Sequence, residues 1–400
     1  MLIALQAARD ALQIGNMPAA AKHARELRDD HPDNSDIQGF AAAVFLAAGQ
    51  HAEALELLEK LPESVDRLHA MALCCLKFKR TDDARGHLKR ILALAPADMD
   101  AQRRLQALDT PPTPRTSVSD NPADMALRKG DLRRGFRLMA EFMRQESAPE
   151  RNLGRFSNPL PYWRGQSVNH LLVIGSAGDG DTLQFCRYLK AAKARVKRMT
   201  VVVRPPLVAL MQRSGFEVAG LFGITDLMAE ADAQIEMMAL PAALEPSYGP
   251  TSHYLRANPR DYGPGFHVGI NWVASEDSGI ERTVDVSALE PLNLPGVTFH
   301  CLTFGERAKA APAWIKPLIV GAYDDTADAV AGLDLVITVD SSPAHLAGGL
   351  GVPVWVALPG VSDWRFEKHP YRWRWYSSAK LFRGSQCFER MALELRTKVP

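Results

Sequence analysis

Two short loops in the second half of this 400-residue sequence gather the residue types that chemistry needs. The first reads Gly175-Ser-Ala-Gly-Asp-Gly-Asp181-Thr182. It follows an apolar run and opens a helical segment. Gly178 and Gly180 permit tight backbone turns, and free N–H groups at a helix start favour an anionic or polar ligand. Asp181 is the residue of interest. It is either a helix N-cap or a carboxylate aimed into a cleft as a general base, with Thr182 supporting the loop. The stretch lacks the GxGxxG spacing of a dinucleotide site, and no Gly-Lys-Ser/Thr makes it a P-loop.

The second loop reads Val339-Asp-Ser-Ser-Pro-Ala-His345-Leu-Ala-Gly-Gly-Leu-Gly-Val-Pro353. A strand ends at Asp340. Ser341 or Ser342 can cap the helix that follows, and Pro343 suits its first turn. The helix start offers N–H donors and a partial positive charge suited to a diphosphate. His345 sits in the first turn and could donate to a phosphate or sugar oxygen, or serve as a structural histidine. Gly348 and Gly349 allow close packing of that helix on the sheet. A Ser/His/Asp hydrolase fits poorly, because GxSxG is absent and residues this close on one turn do not assemble a triad.

Such loops need strands behind them. His170–Ile174, Met199–Val203, Ile235–Leu240, His267–Trp272, Val297–Leu302, Leu335–Val339 and Val354–Leu358 are short, nearly continuous apolar runs. Helical stretches lie between most of them, including Asp181–Ala192. Buried strands alternating with helices imply parallel sheets covered on both faces. The length suggests two Rossmann-like sheets, joined at Asp261-Tyr-Gly-Pro-Gly265.

Upstream, residues 1–108 are rich in Ala, Leu, Glu, Lys and Arg, all good helix formers. Gly15 and Gly49 stand 34 apart, as do Ala20 and Ala54, and Ala84 follows 30 later. Pro32 and Pro96 close the first and third units. This is the tetratricopeptide pattern of paired helices with small residues at their contacts. The second unit ends early at Leu61-Pro62, and Asp98–Leu108 is expected as a closing helix. Such repeats serve either as a concave surface for a protein partner or as a folding or dimerisation scaffold. Residues 109–122 are Pro-rich and read as a linker or surface loop. Ala123–Gln145 reads as one connecting helix, basic on one side, and Pro159–Gly165 as a loop pinned to a core by Tyr162 and Trp163. The expected domains are thus 1–108, 109–167, 168–262 and 263–400.

The 47 Lys and Arg balance 46 Asp and Glu, which argues against a nucleic-acid binder working by phosphate neutralisation. No apolar run reaches the 18 or so residues of a membrane helix, and Arg9 and Asp10 interrupt the only apolar start. A cytoplasmic protein without an integral membrane segment is expected. Five scattered cysteines are not a disulfide framework and read as small buried residues.

The segment Asp340–Trp355, with Leu358-Pro359 and Asp363-Trp-Arg365 after it, resembles the bacterial tetratricopeptide-repeat glycosyltransferases. These are similar to the ADP-heptose:LPS heptosyltransferases and, more distantly, to the O-GlcNAc transferases. Gly178–Tyr188, Val268–Trp272, Arg282-Thr283, Trp375-Tyr376 and Leu381–Arg383 support the resemblance by order and spacing over residues 120–390. It implies a GT-B fold, two facing Rossmann-like domains: an acceptor domain at 168–262 and a donor domain at 263–400. It implies a metal-independent, inverting transferase with no cofactor beyond a nucleotide-diphosphate sugar as donor substrate. Asp181 would be the base. Asp340, Ser341, Ser342, His345, Arg282 and Trp272 would hold the donor. The acceptor would be a protein or glycan hydroxyl, a surface or flagellar protein among the candidates, recruited by the repeats.

The chain departs from that pattern. Where the family commonly carries Gln-Lys-Gly, it reads Thr303-Phe304-Gly305, so a cation expected to offset leaving-group charge is missing. Arg307 and Lys309 are the nearest substitutes. Ala274-Ser275-Glu276 replaces another usual segment, and Asp179 adds a carboxylate near the phosphate site. The alternative is therefore a catalytically decayed transferase acting as a protein-binding module. A nucleotide-sugar epimerase or hydrolase on the same fold is a third reading.

Overall fold

A computed structural model describes residues 2–13, 17–78, 80–109, 121–146, 160–175, 177–220, 224–245, 248, 249, 251–274, 282–360, 362–366 and 371–398. The chain divides into two compact units, Met1–Thr113 and Pro114–Pro400.

The first unit is a run of helices, each packed on the next: α1 (Leu2–Gln13), α2 (Met17–Asp30), α3 (Ser35–Ala47), α4 (His51–Leu58), α5 (Val65–Lys77), α6 (Thr81–Leu94) and α7 (Met99–Asp109). The repeat landmarks Ala20, Ala54 and Ala84 are fully buried, as small residues at helix crossings should be. Gly49 turns the chain before α4 at a φ of +73°. Gly15, the corresponding landmark of the first repeat, lies outside the described residues. Asn34 caps α3 by accepting from the amides of Asp36 and Ile37, and Ser64 caps α5 through Arg67 N–H. Asp98, expected inside the closing helix, caps it instead, accepting from Ala101 N–H at 2.9 Å. All five cysteines of the chain are buried and free.

The second unit opens with α8 (Pro122–Arg128) and α9 (Leu132–Glu146). The single helix expected over Ala123–Gln145 is thus two. Gly130 takes a left-handed φ of +82°, and Asp131 restarts the helix by accepting from Arg134 N–H. The pair packs closely because Gly135 has no Cβ, which would otherwise sit 2.5 Å from Leu127. Phe136 is fully buried against Phe185, Tyr248, Trp364 and Trp375, so α9 belongs to the core of this unit. The Pro-rich stretch before α8 lies outside the described residues from 110 to 120, as does Pro159 of the later loop. Trp163 is fully buried and donates to Gln166 O, and Tyr162 bridges to Gln234, so that loop is pinned as expected.

Two parallel sheets follow. The first has strand order β3-β2-β1-β4, from β1 (His170–Ile174), β2 (Arg198–Val203), β3 (Glu217–Gly220) and β4 (Ala233–Glu236). Its helices are α10 (Asp179–Phe185), α11 (Leu189–Lys193), α12 (Val208–Arg213), α13 (Ile224–Glu230) and α14 (Leu240–Leu244). The second has order β10-β9-β8-β5-β6-β7, from β5 (Phe266–Asn271), β6 (Val297–Cys301), β7 (Ile315–Lys316), β8 (Leu335–Val339), β9 (Val354–Leu358) and β10 (Ala379–Arg383). Its helices are α15 (Tyr323–Ala331), α16 (Ser342–Leu350) and α17 (Cys387–Leu395). Strands β1, β8 and β9 are buried at every residue, which is why they read as nearly continuous apolar runs. The run expected as a strand over Ile235–Leu240 leaves the sheet after Glu236 and turns into a short helical segment. Strands β3, β7 and β10 were not among the expected runs. In each sheet the order reverses beside its first strand, between β1 and β4 and between β5 and β8. Ligands of open α/β sheets sit at such switch points, beyond the strands' carboxyl ends.

Among the described residues, no helix is long and apolar enough to cross a membrane.

Candidate functional site

A cleft of about 630 Å³ opens beyond the carboxyl ends of β1, β5 and β8. One lip is the loop from β1 into α10, contributing Gly178, Asp179, Gly180 and Asp181. The other is the loop from β8 into α16, contributing Asp340, Ser341, Ser342, Pro343 and His345. The lips touch where α10 meets α16. A Cβ on Gly180 would stand 3.3 Å from His345 Cδ2 and 3.4 Å from Ser342 Cα, so glycine allows the close approach.

Asp181 does not cap α10 from the first position; it reaches back from the first turn. Its Oδ2 accepts from Gly178 N–H at 3.0 Å, and its Oδ1 accepts from the Arg365 guanidinium. Arg365 is nearly buried and firmly held. It donates from Nε to Gln184 Oε1 at 2.7 Å and from Nη1 to Asp363 at 2.8 Å, and lies over the Trp364 ring. Burial works against its charge, but Asp363 and Asp181 outweigh burial and hold its pKa above the usual value. Asp179, the extra carboxylate, accepts from Arg204 Nε at 2.8 Å. Thr182 is buried behind the loop, with its N–H bonded to Gly178 O, and does not line the cleft.

On the other lip, Ser341 occupies the cap position of α16 without capping it. Its hydroxyl is spent on Val339 O, Thr338 Oγ1 and Asn271 Nδ2. Ser342 Oγ accepts from Tyr323 OH at 2.9 Å. No side-chain cap therefore covers the α16 amides, among the described residues, where they face the cleft. Asp340 is buried and lies 3.3 Å from Arg282 Nη1. Burial, reinforced by the charge of Asp363, pushes its carboxyl up to about 6 against the pull of Arg282 and Arg365. His345 is buried, with Nδ1 3.0 Å from Tyr376 OH. Burial and then the charges of Arg365, Arg187 and Arg282 hold its pKa well below the usual value, so the ring is neutral.

Trp272, expected to touch the donor, does not line the cleft. It is buried in the core of the second sheet, and its neighbour Asn271 takes the place at the rim. Asn271 ties the end of β5 to the segments that follow β6 and β8, accepting from Thr303 Oγ1 at 2.9 Å and donating to Ser341 Oγ at 3.0 Å. Phe304 occupies the wall where the family's lysine was expected, and neither Arg307 nor Lys309 lines the cleft. Ser275 and Glu276 lie outside the described residues, as does Ser176.

The cations are elsewhere: Arg204, Arg282 and Arg365 line the cleft. Arg204 directly follows β2, a position that reaches the same edge as β1, and that spacing was a usable signal. Arg365 and Asp363 stood in a recognised motif without a role. Tyr323 had no signal. The three arginines face four lining aspartates, 179, 181, 340 and 363, each within an ion pair.

Residues 13–91 match the family model described as anaphase-promoting complex, cyclosome, subunit 3, a tetratricopeptide-like domain. Protein FlbA of Caulobacter vibrioides is 31% identical over 156 residues, covering 35% of this chain; the chain spans 26% of that relative's length. A mutant O-GlcNAc transferase of Thermobaculum terrenum is similar in structure, at 13% identity over 90% of this chain and 82% of the other, with a TM-score of 0.38. A family 9 glycosyl transferase of Veillonella parvula is similar at 13% identity, over 60% of this chain and 99% of the other, with a TM-score of 0.44. The chain thus carries an N-terminal helical-repeat region followed by two parallel α/β sheets, and has glycosyltransferases among its structural neighbours.

Proposed function

We propose that the chain is an inverting glycosyltransferase that moves a sugar from a nucleotide-diphosphate sugar to a hydroxyl of a protein or glycan. The observation that carries this reading is the meeting of two unlike lips at one cleft, a carboxylate on one and an uncapped helix start on the other. The diphosphate lies at the α16 amides, with Arg282 and Arg365 beside it. Asp181 takes the proton of the acceptor hydroxyl as its oxygen attacks the anomeric carbon, opposite the departing diphosphate. Helix-end N–H groups and guanidinium groups, rather than a metal ion, stabilise the charge that develops on the leaving group. The helical repeats recruit the acceptor.

The full chain, incubated with a panel of nucleotide sugars and with cell lysate as acceptor source, is expected to release nucleoside diphosphate from one of them. Asp181→Asn should lower that release at least about 100-fold. No release from any donor, with or without lysate, contradicts the reading.

One observation favours a second reading. Both Asp181 oxygens are engaged and every lining arginine is paired, as in a decayed transferase kept as a protein-binding module. That reading predicts partner capture that survives Asp181→Ala and His345→Ala, and no thermal shift with any donor.

A further inference from the structure

A chain of single protons runs behind the cleft and ends on His345. Tyr254 OH lies 2.9 Å from Leu183 O. A carbonyl only accepts, so this contact takes the one proton Tyr254 has. Tyr254 OH is also 3.1 Å from Tyr376 OH, and that contact must therefore take the proton of Tyr376. Tyr376 OH is in turn 3.0 Å from His345 Nδ1, and the proton for this bond can come only from the imidazole. Arg187 Nη2 donates to Tyr254 OH at 3.3 Å and fills its remaining lone pair. Any other arrangement leaves two lone pairs facing each other in a buried site.

The surroundings keep the chain in this state. Burial raises both phenols, so each keeps its proton, and the neutral ring of His345 carries only one. The paired glycines of α16 make the contacts fit. A Cβ on Gly348 would stand 2.4 Å from the Tyr376 ring, and one on Gly349 3.0 Å from the Tyr254 ring. With its proton on Nδ1, the ring has a bare lone pair on Nε2. Among the described residues Nε2 has no protein partner, and the ring lines the cleft.

We propose that His345 accepts a hydrogen bond from a ligand hydroxyl through Nε2, and that Tyr254 and Tyr376 are positioning residues that fix this tautomer. His345 then does not donate to a phosphate oxygen, one of the roles its place in the helix suggested. It distinguishes a ligand with a sugar or ribose hydroxyl at that point from one without. The ligand half of the proposal rests on the cleft being a nucleotide-sugar site; the tautomer half does not.

The tautomer is read by long-range proton–nitrogen NMR of the full chain with labelled histidine, the His345 signal being assigned by His345→Leu. The wild type is expected to show Nδ1–H, unchanged between pH 6 and 8. Tyr254→Phe frees the Tyr376 proton to turn toward Nδ1, and the signal is expected to move to Nε2–H. Tyr376→Phe, a second variant should the first not fold, is expected to abolish the single tautomer. A wild type with Nε2–H, or variants that leave the signal unmoved, overturns the proposal. For the ligand, His345→Leu is expected to weaken binding of a nucleotide sugar by about tenfold and to leave inorganic pyrophosphate binding unchanged. Equal losses for both probes overturn the hydroxyl role. If no nucleotide sugar binds the wild type, the ligand half falls with the cleft reading, and the spectrum alone decides the tautomer.

Discussion

The loop from β1 to α10 and the loop from β8 to α16 share one plan: a buried apolar strand, a short polar turn, and a helix that begins among small residues. They differ in how their charges are kept. On the first lip each carboxylate has its own arginine, Asp179 with Arg204 and Asp181 with Arg365. On the second lip burial dominates. It moves Asp340 up and His345 down, so both are drawn toward their neutral forms. Under the proposed function, a carboxylate that takes a proton is best kept charged, and a lip that receives a dianion gains from burial that disfavours its own negative charge. On the proposed function, that difference divides a base from a binding surface.

Removing Arg365 is expected to disturb the two lips most. It joins the lips, reaching Asp181 on one and lying near Asp340 on the other through Asp363. Arg365→Met leaves Asp181 and Asp363 without their cation and should cost about 3 kcal/mol in urea unfolding. A loss under about 1 kcal/mol would mean that Arg365 does not hold the lips.

Asp340 sets the pH dependence of the second lip. Its folded pKa of about 6 stands above the ordinary carboxylate value, so the folded state holds the proton more tightly than the unfolded chain. The stabilisation from protonating it is fully present below the unfolded pKa of about 4 and is lost as pH rises through about 6. Asp340→Asn should therefore stabilise the protein at pH 8, by up to about 2–3 kcal/mol, with the gain vanishing near pH 4. A variant less stable than wild type at pH 8 would show that the Arg282 pair outweighs burial.

The smallest effect belongs to the exposed pair of the first lip. Arg204 is about half exposed, so Arg204→Ala should change stability by under about 1 kcal/mol, measured by the same unfolding. A larger loss would mean that the two lips are held alike.

Much of this was legible in the sequence because local rules wrote it. Buried strands of parallel sheets are nearly continuous apolar runs, so β1, β8 and β9 stood out, and the repeat period placed Ala20 and Ala54 at helix contacts. Strand β3 was hidden because only Val218 and Ala219 of its four residues are apolar, and β7 because it has two residues. The helix break at Gly130 was written as Gly-Asp but outweighed by the amphipathic run around it. Asp181, Asp340 and His345 line the cleft, and their place in loops that join strand to helix is what drew attention to them in the sequence. Arg365 acts through contacts 184 positions away, at Asp181, and such a pairing leaves no local trace. Trp272 and Asn271 were exchanged because neighbours on a strand point to opposite faces, and which face meets the cleft is set by the sheet.

The most direct test of the central claim is the structure of the full chain crystallised with a nucleotide-diphosphate sugar, the donor chosen by binding. The diphosphate is expected within hydrogen-bond reach of the α16 amides at Ser342 and beyond, with the anomeric carbon facing Asp181. A diphosphate bound elsewhere, or a sugar turned away from Asp181, would contradict it.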